Sequence, residues 1–306
     1  MYKYILKRVV AAILTLFALV TIVFFLVRLM PGDPFTNPKL TPQIAENMRS
    51  YYGFDKPLIQ QYFTYMGNLL KGDFGYSMKY TNRTVNDIIG QTFPYSADLG
   101  LRALTLAVSF GLVFGIIAAR NRGKKLDFVC VIIAIIGTSM PDFIMGACLQ
   151  YFFGIKWGLF PVAKYLGLKY TVLPATALAF YTLASVSRIM RASMLEVTSQ
   201  DYIKTARSKG VSEFRITWKH QIRNAIMPVM TVLGPTVAAV LTGTFVIEAI
   251  FAIPGMGKYY VSSVNENDYA MILGMTVFYG FFLVLCNLIV DILYGVADPR
   301  VRIGKR

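Results

Sequence analysis

"YAMILGMTVFYGFFLVLCNLIV", Tyr269–Val290, runs for 22 positions without a charged residue. As a helix rising 1.5 Å per residue it would cover about 33 Å, enough to cross the roughly 30 Å hydrocarbon core of a bilayer. A surface helix of a soluble domain sets a charged face against its apolar one. This run has none, so it reads as a membrane span.

Working outward, uncharged runs of comparable length occur at Val9–Val27, Ala103–Ala119, Tyr170–Ser187 and Asn224–Ile247, and a further run, Phe128–Ile155, is interrupted only by Asp142. The composition agrees, with 56% hydrophobic and 15% charged residues among 306. The first run is too long for the apolar part of a signal peptide, and Pro-Gly-Asp-Pro follows it where a small-residue cleavage site would stand, so it is expected to stay as a helix. The predicted fold is an all-α membrane protein with six transmembrane helices. Cys130, Cys148 and Cys286 all lie in apolar runs, an odd number without close spacing, which fits neither a disulfide framework nor a metal site.

Cationic residues set the orientation. Eight Lys or Arg lie in 188–223, whereas 248–268 holds only Lys258. By the positive-inside rule the N-terminus and C-terminus are both cytoplasmic. The net charge of +15 is thereby a topology signal, and no nucleic-acid partner is expected. Three parts follow: residues 1–30 as N-terminal tail and first span, 31–98 as an extracellular helical segment, and 99–306 as a five-helix core with a cytoplasmic loop at 191–226. In the outer segment "TPQIAENMRSYYG" places Thr41 as a helix cap, Pro42 at the first turn and Gly53 past the end. "DKPLIQQYFTYMGNLLKG" repeats the arrangement, with Leu58, Tyr62, Met66 and Leu69 on one face and Gly72 as the stop.

The cytoplasmic loop is unlike its surroundings. "SQDYIKTARSKGVSEFRITWKHQIRNAIMP", Ser199–Pro228, carries six Lys or Arg. Ser199 is expected to cap a short helix with Asp201 in its first turn and Arg207 and Lys209 in its last, the order a helix dipole favours. Gly210 supplies a left-handed stop. Ser212 then caps a second helix on which Phe214, Trp218, Ile222 and Ile226 recur every fourth residue beside Arg215, Lys219 and Arg223. From spacing alone, two readings of the loop compete: a basic amphipathic helix resting on anionic membrane lipid, which explains the second helix but not the capped polar first one, or a short helix presented to the groove of a cytoplasmic partner.

The loop resembles the permease signature of ABC importers, whose common form runs Glu-Ala-Ala, three residues, Gly. The matching positions are Lys204, Thr205, Ala206 and Gly210, of which Ala206 and Gly210 agree. "DYIKTARSKG" followed by "HQIRNAIMP" is similar to the version in peptide-importing permeases, as are "LMPGDP", "YYGFDKPLIQQY", "KGDFGYS", "GTSMPDFIMG", "GLFPV", "TGTFVIEAIFAIPGMG" and "DILYGVADPR". Together they span nearly the whole chain and resemble the peptide/nickel family of importer permeases, above all the B-type subunit of oligopeptide importers; dipeptide and nickel permeases are similar too. The resemblance implies a type I importer permease in a bacterial plasma membrane, paired with a second homologous permease, two cytoplasmic ATPase subunits and an extracellular peptide-binding protein. It also implies that Lys204, Thr205, Ala206, Arg207, Ser208, Lys209, Gly210, Val211 and Ser212 form the coupling helix and its turn, seated on one ATPase.

The chain shows no chemistry of its own. It has no Gly-rich Lys-Ser/Thr phosphate loop, so ATP and Mg belong to the partner subunits and this chain is expected to bind no cofactor or metal. His220 is the single histidine and reads as a polar residue of the second loop helix. No nucleophile and base line up in the spans, which argues against an intramembrane hydrolase or lipid transferase; a membrane adaptor that transports nothing remains the other alternative. Charges within spans are costly unless they face protein or water. Asp142, after Met140 and Pro141, is either a pathway or gate residue or a static partner between helices. Glu248, with Thr244 before it, closes the fifth span near the outer face. Met140, Pro141, Asp142, Thr244 and Glu248 are the candidate residues of a translocation pathway, with a structural role the alternative for Glu248. Gly243 and Thr244 are small enough for close helix contact. Arg28 and Arg102 lie near span ends, where long cations reach toward headgroups.

Overall fold

A computed structural model describes residues 2–31, 46, 49–50, 53–80, 83–241 and 245–297. The chain folds as α1 (Tyr2–Arg28), α2 (Leu58–Leu70), α3 (Val85–Arg120), α4 (Lys125–Ser139), α5 (Asp142–Leu149), a π-helical segment (Gln150–Lys156), α6 (Leu168–Thr198), α7 (Asp201–Ser208), α8 (Glu213–Arg215), a second π segment (Ile216–Gln221), α9 (Ile222–Ala225), α10 (Met227–Leu241), α11 (Phe245–Ile250), α12 (Met256–Asn265) and α13 (Tyr269–Ala297). Among the described residues, five helical stretches are long and apolar enough to cross a membrane, and α4 with the 142–156 stretch forms a sixth candidate bent by 110°. The run Phe128–Ile155 is therefore not one straight span. Pro141 cannot donate the helical hydrogen bond and biases Met140 toward extended backbone, where its φ and ψ are −96° and 122°. The helix restarts at Asp142, whose Oδ1 accepts the Phe143 N–H at 2.8 Å. The outer helix expected from Thr41 lies largely outside the described residues, as do Gly243 and Thr244.

Two compact units emerge. The first is drawn from Met1–Ser96 and Pro254–Leu288. In it, α2 ends on a glycine turn as expected: Gly72 has φ +78°, its N–H donates to Leu69 O (2.9 Å), and the Asp73 N–H reaches Asn68 O (3.0 Å). Tyr62 joins Phe24, Val27 and Leu273 in the core, whereas Leu58, assigned to the same face, is exposed. Asp268 organises the loop beside α13. It accepts the Ser77 hydroxyl and the N–H groups of Met78 and Lys79 from the loop, and the Met271 N–H from the first turn of α13. Arg28 lies over aromatic rings of its own unit: its guanidinium carbon is 4.1 Å from the Phe54 ring centre and 5.1 Å from that of Phe24.

The second unit is drawn from Ala97–Ile253 and Ile289–Arg306, and α6 is its most buried helix. Its neighbours approach it through glycine. A Cβ built on Gly115 of α3 would lie 2.6 Å from Met190 Cβ and 2.7 Å from Ser187 O; on Gly111, four residues earlier, 2.9 Å from Leu183 O; and on Gly137 of α4, 2.7 Å from Ala184 Cβ. Lipid tails are as apolar as leucine, so helices in a bilayer associate through close backbone approach at such residues. Arg102 pairs within its own helix: its Nε donates to Asp98 Oδ2 at 2.8 Å, and the Tyr165 hydroxyl bonds the same oxygen.

Gly115→Leu is expected to force α3 off α6 and lower stability by about 3 kcal/mol. Gly90→Leu, where nothing lies within 4 Å, should be tolerated. Thermal midpoints of the two purified variants in detergent check the contrast; equal midpoints would refute the close approach.

Candidate functional site

The polar loop between α6 and α10 is a helix, a glycine turn and a second helical segment, as expected, but its caps differ. Ser199 does not cap α7: it closes α6, its Oγ donating to Glu196 O at 2.7 Å, and Gln200 stands at the cap of α7 without a side-chain bond. Ser212 occupies the cap of α8 through its backbone, its carbonyl accepting the Ile216 N–H at 3.0 Å. Asp201 and Arg207 lie in the first and last turns of α7. Gly210 adopts φ +73°, its N–H donating to Arg207 O (2.9 Å) while the Val211 N–H reaches Ala206 O (3.2 Å). That pair of bonds is a Schellman stop, which requires the left-handed residue glycine supplies.

Within α7 only Ile203 is buried, at 0% exposure, and Ala206 is half-buried. Lys204, Thr205, Arg207, Ser208 and Lys209 are exposed, as are Gly210 and Ser212, with Val211 intermediate. One apolar anchor thus holds a short polar helix whose remaining faces are open. The turn is braced by Arg207, whose Nε donates to Glu213 Oε1 at 2.7 Å. This bond, with the nearby positive charges of Arg207 and Arg120, holds the Glu213 carboxyl below its ordinary value. Behind the turn lies a cavity of about 210 Å³ lined by Arg120, Thr198, Arg207, Glu213, Thr217 and Gln221.

The second segment departs from the expected spacing. A π-helical stretch, Ile216–Gln221, interrupts it, and the buried stripe falls on other residues than those expected. The buried positions are Ile216, Thr217, Gln221 and Ala225. Gln221 Nε2 donates to Thr198 Oγ1 at 2.9 Å, and Ala225 packs with Met190, Met194 and Val229. Phe214 and Trp218, expected on the same face as Ile222 and Ile226, are instead exposed. His220 is half-buried and its carbonyl accepts the Asn224 side chain at 2.9 Å.

Sequence reasoning missed the ion pair above this loop. Arg191 of α6 grips Asp127 at the start of α4 with two bonds, Nε to Oδ1 at 2.7 Å and Nη2 to Oδ2 at 2.8 Å, while the Gly123 N–H donates to Oδ2 at 2.9 Å. Asp127 is only 5% exposed. The available signal was an acid and a base at the ends of adjacent spans, but 64 residues separate them and spacing does not pair them.

Of the residues read as pathway candidates, Met140 packs on the core cluster that includes Ile247 and Phe251, while Asp142 is half-buried and Pro141 exposed. Glu248 of α11 is 1% exposed, and its carbonyl accepts the Ile253 N–H at 2.8 Å. The helices that carry them meet: a Cβ on Gly146 of α5 would stand 3.0 Å from Ile247, and Gln150 Nε2 donates to Ile250 O at 3.1 Å. Thr244 lies outside the described residues.

Comparison with known proteins adds a family context. Residues 111–303 match the model described as binding-protein-dependent transport system inner membrane component, and residues 1–100 match the N-terminal model of such membrane components. The chain is 45% identical over 307 residues to the dipeptide transport system permease protein DppB of Bacillus subtilis, covering all of both chains. It is 41% identical to the oligopeptide transport system permease protein OppB of Haemophilus influenzae, covering 99% of this chain and all of that one. Among solved structures, a chain of an amino acid ABC transporter crystallised with histidines aligns with a TM-score of 0.51 at 17% identity, over 70% of this chain and 94% of that one. A chain of the inward-facing MetNI methionine ABC transporter gives 0.51 and 17% over 72% and 97%. At that identity the likeness is one of fold.

Asp127→Ala leaves Arg191 without its carboxylate and is expected to cost about 3 kcal/mol, because a half-buried charge loses its partner. Asp127→Ala combined with Arg191→Leu should cost less than the single change, since no lone charge remains. Thermal midpoints of both variants decide it; a double variant that melts no higher than Asp127→Ala alone would refute the coupling. The lowered Glu213 value also predicts a pH window. A carboxyl depressed in the fold stabilises it above its unfolded value, here the ordinary 4.5, and loses that contribution as the pH falls through the folded value. Amide exchange across 207–213, corrected for intrinsic rates, should hold steady above that value and accelerate only beneath it. Acceleration near neutral pH would contradict the brace.

Proposed function

The chain belongs to the family of binding-protein-dependent transport system inner membrane components, and on that premise we propose that it is the permease subunit of an ATP-driven importer of oligopeptides. The reading is supported by relatives 40–45% identical over essentially full length, whose names are those of dipeptide and oligopeptide permeases. The value for the dipeptide relative of Bacillus subtilis is the higher of the two reported above, so a dipeptide cargo is the second reading.

The observation that carries the mechanism is the presentation of α7. A helix of eight residues is about 12 Å long, and with Ile203 as its one buried side chain it leaves most of its surface open. It is too polar for lipid. Its open faces fit the groove of a second protein, in the manner of a short helix seated on a partner. We assign that partner as a cytoplasmic ATPase that holds the ATP and Mg, with a second ATPase, a homologous permease and an extracellular peptide-binding protein completing the assembly. Both termini of this chain then face the cytoplasm. Movement of the ATPases displaces α7; the Schellman turn, the Arg207–Glu213 brace and the packing of Ala225 on α6 pass that displacement into the spans as a rigid-body shift. We assign the cargo route to the side of α5 and α11, a reading supported by the bend at Met140–Pro141 and by the buried Glu248, on helices that meet.

The test is substitution in the turn. Gly210 at φ +73° cannot accept proline, whose ring fixes φ near −65°. Gly210→Pro, or Ala206→Asp, is expected to abolish peptide-stimulated ATP hydrolysis by the reconstituted importer while the chain still inserts and assembles. Normal stimulated hydrolysis in both variants would remove α7 from the coupling role.

A further inference from the structure

The loop has a second outward surface that the ATPase reading does not use. Phe214 and Trp218 are 68% and 58% exposed, with ring centres 6.1 Å apart. Arg215, Lys219 and Arg223 are exposed on the same segment. Its opposite side is occupied, since Ile216, Thr217, Gln221 and Ala225 are buried. The aromatic pair is therefore held outward by the packing of its own helix. The segment 213–223 contains one acid, Glu213, and Arg207 already engages it. What remains is a cationic surface with two large aromatic rings.

We infer that this face of 213–223 rests on the surface of the bilayer and binds anionic phospholipid headgroups. Three observations select that occupant. The segment runs through Ile226 directly into α10, the start of a stretch apolar enough to cross a membrane, so its end is tied to the lipid boundary. Tryptophan and phenylalanine beside lysine and arginine form the composition that settles at the headgroup level, rings toward the acyl boundary and charges on phosphate. The three exposed cations with their one acid engaged are complementary to an anionic surface. The loop thus has two jobs: α7 faces the protein partner, and 213–223 slides on lipid and keeps α7 at a set height below the membrane. This inference does not depend on the ATPase reading, because it concerns the chain in lipid alone.

The chain has two tryptophans, Trp157 and Trp218, so Trp157→Phe leaves Trp218 as the sole indole emitter. The full-length variant is reconstituted without ATPases in nanodiscs of phosphatidylcholine, with or without phosphatidylglycerol, using lipids brominated near the headgroup as quenchers. Trp218 emission is expected to be quenched by brominated lipid, more strongly in the anionic discs, and to be shielded from aqueous iodide. Each cation neutralised among Arg215→Gln, Lys219→Gln and Arg223→Gln lowers the preference for anionic lipid about fivefold. Should Trp157→Phe fail to fold, the same signal is obtained by subtracting the emission of Trp218→Phe from that of the natural chain. Full iodide access with no lipid quenching would overturn the inference. So would shielding that appears only when the ATPases are added, which would assign the aromatic pair to the protein interface.

Discussion

Helices in a bilayer gain nothing from hiding apolar side chains from lipid, so what holds this second unit together is close contact along α6. Gly111 and Gly115 of α3 and Gly137 of α4 let two helices approach until their Cα positions face the α6 backbone and Cβ atoms. At one end of the same helix, Arg191 closes on Asp127. Contact without side chains at the glycines and a two-pronged ion pair at the helix end both resist sliding. A helix fastened in this way moves with its neighbours, and the cytoplasmic loop of our reading begins where that helix stops.

The loop itself is built from two different solutions to helix termination. Gly210 ends α7 in a Schellman turn, so the exposed helix stops at a defined position. The next segment contains a π-helical stretch, and in it Ile216, Gln221 and Ala225 are buried while Phe214 and Trp218 are exposed. The segment is tied to α6 through the packing of Ala225 on Met190 and Met194.

Charge is used sparingly in the spans. Arg28 stacks on rings, Arg102 pairs with Asp98, and Asp142 begins a helix after a proline break. Each finds its partner inside its own unit, which is how a membrane protein keeps ionisable groups without a large desolvation cost. Asp268 plays the equivalent part for backbone groups, gathering the N–H groups of a loop and of the first turn of α13.

By itself the sequence determined the class of fold, the approximate spans, the glycine stops at Gly72 and Gly210 and the loop's polar character, because each rests on local chemistry: apolar length, left-handed backbone and charge density. Tertiary structure alone decided which residues meet. The ion pair of Asp127 with Arg191, the approach of Gly115 to Met190 and the outward position of Trp218, opposite the buried Thr217 and Gln221, depend on packing between segments that spacing along the chain does not pair. Periodicity assumes a regular helix and sees only neighbours along it. Ser199 shows the limit clearly, since its composition suits a cap for α7, yet the preceding helix continues into it and takes its hydroxyl.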